Sequence, residues 1–327
     1  MGRIIAGIGS SHAATLEDPS YWDDHRNRNR AGYARRYGTL PPEQPGVAAE
    51  SPEDVRARHA RISDGLAFVR QRLAELRPDA LIMVGDDQNE YFTDSNLPQI
   101  AVYLGESFLA LARDPQVESL RYQGHPGLAE VILHTAIEAD VDMAYVRQFP
   151  NDVLLAHAFG PVLRVIDPEA RIPVVPVFVN AIHYPAPSAR RCYAYGHAIR
   201  QAVERYAGAE RVVVYASGGM SHFTAGYPWR HYEGPYTHGG INVEFDRRLM
   251  ETLQSGNGHA LADLSQQDII ANGEIELRSW ITMLGAIGDA RPALLVYEPF
   301  FRAIMGMAVG FWDLGQSPER EAAGVAP

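Results

Sequence analysis

Cysteine, lysine and long apolar segments are missing or scarce in this 327-residue sequence. The single cysteine, Cys192, excludes an internal disulfide framework and fits a reducing compartment. Lysine is absent, which we attribute to genomic composition bias, and the net charge of −11 argues against a nucleic-acid-binding surface. No apolar run could span a membrane, and no basic-then-apolar signal segment precedes the first strand. We therefore expect a soluble, cytoplasmic protein that is an enzyme.

Strand and helix patterns alternate along the chain. The apolar runs that predict strands are Ile4–Ile8, Ala80–Val84, Gln99–Leu104, Met143–Val146, Ile172–Val179, Val212–Tyr215 and Ile304–Trp312. The patterns that predict helices are Ser51–Leu76, Leu128–Glu138, Ser188–Tyr206, Asn242–Leu253 and a segment that opens at Asn272. This alternation predicts an α/β fold: one domain with a mixed, doubly wound sheet flanked by helices, and an active site in the loops at the carboxyl ends of the strands.

The predicted domain covers residues 1–316 and contains an insertion at about 16–50. From Leu16 to Arg36 the chain is polar and without clear periodicity, so we expect a long irregular loop there. Residues 317–327 are expected to be a disordered tail. An aromatic, glycine-rich stretch from Tyr227 to Gly240 is interpreted either as a lid or as a packed surface loop.

Polar residues follow three of the predicted strands directly. His12 follows the first strand, the segment Asp86–Glu90 follows the second, and His222 follows Gly218 and Gly219. In open α/β sheets, ligands bind at the edge formed by the carboxyl ends of the strands. A histidine at that edge is a candidate acid or base. The alternative for His222 is a plain hydrogen bond to a neighbouring loop.

For three further titratable residues, the sequence pattern alone does not decide between a site role and a structural role. Glu276 lies one helical turn before Trp280, so we expect a carboxylate that is not freely solvated. His157 lies in an apolar segment, where a core histidine is more common than a catalyst, and His59 lies within the first predicted helix. Two nitrogen ligands and one carboxylate would form the facial triad that binds non-haem Fe(II).

Several short motifs occur in a meaningful order: GIGSSH, LLAHAFGPVL, the PSARRC helix, GGMSH and E-x-x-x-W. Together they resemble the class III extradiol dioxygenases, typified by the protocatechuate 4,5-dioxygenase β subunit and by gallate and 3-O-methylgallate dioxygenases. The resemblance extends from Arg3 to about Trp312. It implies a ring-cleaving oxidoreductase that incorporates both atoms of O2.

The resemblance implies a role for each matching residue. His12 and Glu276 match iron ligands, and His222 matches the catalytic histidine beside the iron. His157 matches a second active-site histidine, with Ala156 in place of the aspartate that precedes it in relatives. This reverses the interpretation of His157 as a core residue.

One position departs from the family pattern. Close relatives end the second strand in Asn-Asp-His, where the histidine binds iron, whereas this chain has Gln88. A glutamine carbonyl is a harder ligand than imidazole. The third ligand therefore stays open between His59 and Gln88, and Asp86, Asp87 or Glu90 could also contribute.

The implied cofactor is Fe(2+), and the implied partners are a small aromatic diol and O2. His222 would accept a substrate hydroxyl proton and later return it, which is typically worth roughly 10²–10⁴ in rate. His157 would hydrogen-bond to oxygen or substrate, and an arginine could hold a substrate carboxylate. The insertion resembles the methylgallate-cleaving branch, so we expect a homo-oligomer without a separate small subunit, whose site is capped by the insertion or by a neighbouring subunit.

Two other functions compete with this one. A metal-dependent hydrolase would bind zinc at the same residue types and activate water, and Gln88 keeps that alternative open. A phosphate- or nucleotide-binding protein would use the turns at Gly9 and Gly218. We rank this reading last, because no basic residue lies near either turn in the sequence and Gly7-x-Gly9 lacks the third glycine of the dinucleotide pattern.

Overall fold

The computed structural model describes residues 1–12, 16, 18–110, 118–149, 156–207, 211–222 and 240–315. The expected disordered tail at 317–327 lies outside these residues. So does almost all of the aromatic loop at 227–240. The first part of the apolar segment before His157 also lies outside them.

Eight of the ten described strands form one mixed sheet. The strands are β1 (Arg3–Ser10), β2 (Ala80–Gly85), β3 (Ile100–Tyr103), β4 (Ser107–Ala110), β5 (Leu120–Gln123), β6 (Ala144–Val146), β7 (Val174–Val179), β8 (Arg211–Ser217), β9 (Leu294–Phe300) and β10 (Met305–Asp313). The sheet order is β6-β3-β7-β2-β8-β1-β10-β9, and β4 pairs with β5 separately. The central strands β7, β2, β8 and β1 are parallel, whereas β3 and β10 run antiparallel to their central neighbours.

Helices cover both faces of the sheet, as the alternating pattern predicts. The helices are α1 (Trp22–Tyr37), α2 (Pro45–Ala49), α3 (Pro52–Leu76), α4 (Pro126–Glu138), α5 (Gly160–Ile166), α6 (Ala189–Arg205), α7 (Val243–Gln254), α8 (Gln266–Ala271) and α9 (Leu277–Ile287). In β2, Ile82 and Val84 pack into the core formed with α4, α6, α7 and α9, while Leu81 and Met83 pack into the core formed with α3 and α5. Within the described ranges, no helix is both long and apolar enough to cross a membrane.

The expectation of an irregular loop after Leu16 is wrong for most of its length, because α1 occupies residues 22–37. This helix has no apolar stripe from which periodicity could predict it. Its first residue, Trp22, is fully buried, and polar contacts hold the rest. Arg26 donates to Glu43 at 2.8 Å, and Arg302 donates to Asp23 at 3.1 Å. The helix therefore depends on tertiary contacts that its own sequence does not display.

The segment that follows α2 is fastened to the turn between β9 and β10. The Glu50 carboxylate is buried and accepts the backbone N–H groups of Phe301 and Arg302, each at 2.9 Å. Arg58 on α3 donates to the same carboxylate at 3.2 Å. The part of the insertion around Glu50 is thus anchored to the sheet.

Strands β4, β5 and β9 were not predicted. The residues of β9 before Phe300 are all half-buried, so the strand shows neither the continuous burial nor the strict alternation that marks a strand in sequence. The carboxyl ends of the four parallel strands, by contrast, meet at one edge of the sheet. Ser10, Gly85, Val179 and Ser217 end these strands, and the candidate site lies just beyond them.

Candidate metal centre

His12 is fixed by the end of the neighbouring strand. Its ring is buried, and Nδ1 lies 3.2 Å from the hydroxyl oxygen of Ser217. That hydroxyl also contacts the carbonyl oxygen of Ala158, which can only accept a hydrogen bond. Because Ser217 gives its one proton to Ala158, it must accept from His12 Nδ1–H. The lone pair of His12 is therefore on Nε2, the atom that faces the site.

Glu276 directly precedes the first residue of α9 and is 1% exposed. Its Oε2 accepts the backbone N–H of Gly219 at 2.6 Å, and its Oε1 lies 3.6 Å from Nε2 of His12. Burial would raise the pKa of Glu276, but the charge and hydrogen bond of His222 outweigh burial and lower it. The expectation that Glu276 is not freely solvated is confirmed.

Glycine at position 218 permits this approach. A Cβ atom there would lie 2.8 Å from the carbonyl oxygen of Glu276 and 2.9 Å from its Cβ. Any side chain at Gly218 would therefore push the end of β8 away from the carboxylate. The sequence pattern Ser-Gly-Gly after a buried strand is the signal of this close approach.

His222 lies beyond β8, with its ring turned towards Glu276. Its Nδ1 lies 2.7 Å from the carbonyl oxygen of Met220 and so carries a proton, which leaves Nε2 directed at Glu276 Oε1 at 3.1 Å. Burial would lower the pKa of His222, but the charge and hydrogen bond of Glu276 raise it to about 9. The backbone N–H of His222 donates a hydrogen bond to the carbonyl oxygen of Gly273 at 2.9 Å.

The segment after β2 supplies carboxylates and an amide. Asp86 is fully buried, and Gln88 Nε2 lies 3.1 Å from its Oδ2 and 3.3 Å from Oε1 of Glu276. Burial and then the charge of Glu276 raise the pKa of Asp86 to about 8. Asp87 is committed to local structure, because it accepts the N–H groups of Asn89, Tyr91 and Phe92.

His157 joins the site from the loop before α5. Its ring centroid lies 4.9 Å from that of His12, and its Nδ1 and backbone N–H both contact the Glu90 carboxylate. Burial would lower the pKa of His157, but the hydrogen bond and charge of Glu90 raise it. Glu90 thus holds Nδ1 and leaves Nε2 for the site.

The structure brings together five of the six residues singled out from sequence: His12, Gln88, His157, His222 and Glu276. His59 is placed elsewhere, on α3, with its ring 5.7 Å from that of Trp22 and beside a cavity lined by Leu16 and Val165.

Sequence reasoning did not single out Ser217 or give Asp86 a defined role. Asp86, His12 and His157 form the group of potential metal ligands found in the described part of the chain, with donor atoms within 4.8 Å of one another. An acidic residue directly after a buried strand was the available signal for Asp86.

The chemistry of these donors fits a divalent cation. Imidazole nitrogen and carboxylate oxygen suit iron and manganese, and metal–ligand bonds of about 2 Å place two donors on one ion at most about 4 Å apart. His12 Nε2 and Glu276 Oε1, at 3.6 Å, satisfy that limit. In addition, Oδ1 of Asp86 is buried and meets no hydrogen-bond donor among the residues the structure describes.

The sequence profile of one family, described as "Catalytic LigB subunit of aromatic ring-opening dioxygenase", matches residues 44–308. The chain belongs to this LigB family. The expected enzyme class, a ring-cleavage dioxygenase, is confirmed by that membership and by the relatives. The mixed α/β sheet is likewise the fold that the alternating strand and helix patterns predicted.

Curated LigB-family relatives are distant. Gallate dioxygenase from Pseudomonas putida is 28% identical over 170 residues, which are 50% of this chain and 46% of that protein. Two proteins named 2,3-dihydroxyphenylpropionate/2,3-dihydroxicinnamic acid 1,2-dioxygenase match over more of their length. The one from Klebsiella pneumoniae is 23% identical over 74% of this chain and 87% of that protein. The one from Cupriavidus necator is 24% identical over 84% of this chain and 95% of that protein.

Proposed function

We propose that the protein is an Fe(II)-dependent extradiol dioxygenase that opens the ring of a catechol- or gallate-like aromatic with O2. The observation that carries this proposal is the buried pair formed by His12 Nε2 and Glu276 Oε1, 3.6 Å apart at the carboxyl edge of the sheet. Fe(II), when bound there, would supply open positions for a vicinal diol and O2. The family assignment gives no support to the zinc hydrolase alternative.

His12 and Glu276 would hold the metal, and other residues keep them in position. Ser217 leaves the lone pair of His12 on Nε2, and Gly219 N–H orients the Glu276 carboxylate at 2.6 Å. Partners of this kind typically change metal affinity by about 10–100-fold. The ligand atoms are buried, so water is excluded from the side of the metal that faces the protein.

His222 is proposed as the acid–base residue. Its Nδ1–H is engaged by the Met220 carbonyl at 2.7 Å, so Nε2 is the atom that exchanges a proton with the substrate. Glu276 holds a proton on Nε2 in the metal-free protein; with Glu276 on the metal, Nε2 would release it, take a proton from a substrate hydroxyl and return it later. His157 would present its Nε2 to substrate or oxygen, because Glu90 holds its Nδ1. Both rings thus have one nitrogen fixed by the protein and one directed at the site.

The substrate class is proposed from the relatives, which are named for gallate and for 2,3-dihydroxyphenylpropionate. The proposed substrate is therefore a vicinal dihydroxy aromatic. We further propose a cytoplasmic homo-oligomer that needs no separate small subunit, in keeping with the insertion at about 16–50.

Two variants test this division of roles. His222→Ala should abolish ring opening yet retain the wild-type iron content, because His222 handles a proton and does not hold the metal. Glu276→Ala should lose the metal itself. Iron content measured by mass spectrometry, together with turnover of a catechol, separates the two, and equal metal loss in both variants would contradict the proposal.

A further inference from the structure

Asp86 occupies a position that the proposed function leaves unassigned, since that proposal names only two metal ligands. The side chain is fully buried at the end of β2. Its Oδ2 lies 3.1 Å from Gln88 Nε2, whereas its Oδ1 meets no donor in the described part of the chain. A buried carboxylate oxygen without a partner is costly unless a cation compensates it.

The position of Asp86 relative to His12 supports a cation there. An oxygen of Asp86 lies within 4.8 Å of a ring nitrogen of His12 and of His157, so a side-chain shift of about 1 Å at most brings it to the spacing of about 4 Å allowed for two donors on one ion. His12 also lies 3.6 Å from Glu276. His12 is therefore common to both groups and has two buried carboxylates beside it.

Gln88, the residue aligned with the family's histidine, faces these carboxylates with its donor end. One side-chain atom lies 3.1 Å from Asp86 Oδ2 and 3.3 Å from Glu276 Oε1. The ionised Glu276 carboxylate can only accept a hydrogen bond, so this atom is the amide nitrogen. An amide NH2 group has no lone pair to offer a metal. Gln88 therefore orients Asp86 and Glu276 and does not bind the metal.

We infer that Asp86 is the third metal ligand, so that the centre consists of one imidazole and two carboxylates. This inference rests on the proposed function. Two ionised carboxylates would balance the charge of a divalent cation, and Gln88 lies between them. The chain thus replaces the family's second imidazole by a carboxylate two residues earlier in the same loop.

The test compares Asp86→Asn with Asp87→Asn. Asp87 is the matched control, because it is a neighbouring buried carboxylate that accepts hydrogen bonds from backbone N–H groups. Anaerobic Fe(II) is titrated in competition with a chromophoric chelator, and the Tm of each metal-free protein is recorded. Asp86→Asn should weaken Fe(II) binding more than about 100-fold, beyond the usual effect of an outer residue, and its metal-free Tm should show that the variant is folded. Asp87→Asn should lower the Tm and keep the wild-type affinity.

Each result has a clear consequence. Wild-type affinity in a folded Asp86→Asn protein would overturn the inference and leave the proposed function standing. A wild-type protein that binds no Fe(II) would contradict the proposed function itself. X-ray absorption of the Fe(II)-loaded wild type gives a second measurement, independent of the variants: one coordinated imidazole is expected, and two would overturn the inference.

Discussion

At the scale of single residues, hydrogen bonds decide which nitrogen of each histidine is available. Ser217 accepts from His12 Nδ1, Glu90 holds His157 Nδ1, and the Met220 carbonyl engages His222 Nδ1. In all three rings Nε2 is left for the site. The function of these histidines therefore depends on partners that are distant in sequence, such as Ser217, which lies 205 residues from His12.

Ser217→Ala tests this arrangement. The substitution leaves His12 Nδ1–H without its acceptor, so we expect Fe(II) affinity to fall about 10–100-fold. Ser10→Ala is the matched control, because Ser10 is also a buried strand-end hydroxyl but bonds to Tyr215 at 2.5 Å and not to His12. Titration with Fe(II) should separate the two variants, and an equal loss of affinity would contradict the role of Ser217.

The sequence was informative about residues that belong to a motif and uninformative about their partners. The predicted strand ends placed His12 and His222 correctly, and the predicted helix placed Glu276 near its start. His59 is on a predicted helix, but only the tertiary packing against Trp22 shows which way its ring turns. Helical spacing shows on which face of its helix a residue lies, but it does not show which other element packs against that face.

At the scale of elements, α7 holds the turn that carries His222. Asp246 on α7 is fully buried and accepts the backbone N–H of Ser221 at 3.0 Å, the Ser221 hydroxyl at 2.8 Å and the Tyr297 hydroxyl at 2.5 Å. Gly306 on β10 makes room for this carboxylate, because a Cβ there would lie 2.2 Å from its Oδ2. One side chain thus joins a helix, a strand and the catalytic turn.

Asp246→Asn should loosen that turn. The substitution replaces one carboxylate oxygen of Asp246 by an NH2 group, which faces the hydrogen-bond donors of Ser221 and Tyr297. We therefore expect the free energy of unfolding to fall by about 1–3 kcal/mol. Displacement of His222 should lower kcat, by up to about 10²-fold for a shift of 1 Å, at unchanged iron content.

Glu244→Ala is the control for that variant, since Glu244 lies on the same helix with its side chain 84% exposed. Urea unfolding, iron analysis and steady-state kinetics measure the three effects. Wild-type kcat in Asp246→Asn would contradict the role of α7.

Elements with an apolar pattern were predictable, and those held by polar contacts were not. The helix α3 was expected from Ser51 to Leu76 and runs from Pro52 to Leu76, with the Ser51 side chain accepting the N–H of Asp54. By contrast, α1 is polar on every side and depends on the Arg26–Glu43 and Arg302–Asp23 contacts. Contacts between distant segments cannot be read from local periodicity.

At the scale of the whole molecule, the buried charges at the sheet edge link folding stability to pH. Burial would raise the pKa of Glu90, but the hydrogen bond and charge of His157 lower it to about 2. The unfolded chain, with Glu90 at its ordinary pKa near 4.5, binds more protons between pH 5 and pH 2. The stability that Glu90 contributes is therefore present above about pH 5 and is lost as the pH falls towards 2.

Glu90→Gln should remove this contribution, which is at most about 3 kcal/mol. The metal-free variant should be less stable than the wild type at pH 6, and the two should converge near pH 2. Glu130→Gln, which removes an exposed pair with Arg147, should change stability by less than about 1 kcal/mol. Urea unfolding against pH checks both, and parallel curves for Glu90→Gln and wild type would refute the prediction.

The central claim is that this buried edge performs ring opening with O2, and oxygen consumption tests it most directly. The protein is purified anaerobically, loaded with Fe(II) and supplied with catechols, gallates and 2,3-dihydroxyphenylpropionate in an oxygen electrode. We expect one O2 consumed for each molecule of a yellow ring-opened product. No uptake with any of these diols, together with retention of zinc rather than iron, would contradict the dioxygenase and favour a zinc hydrolase.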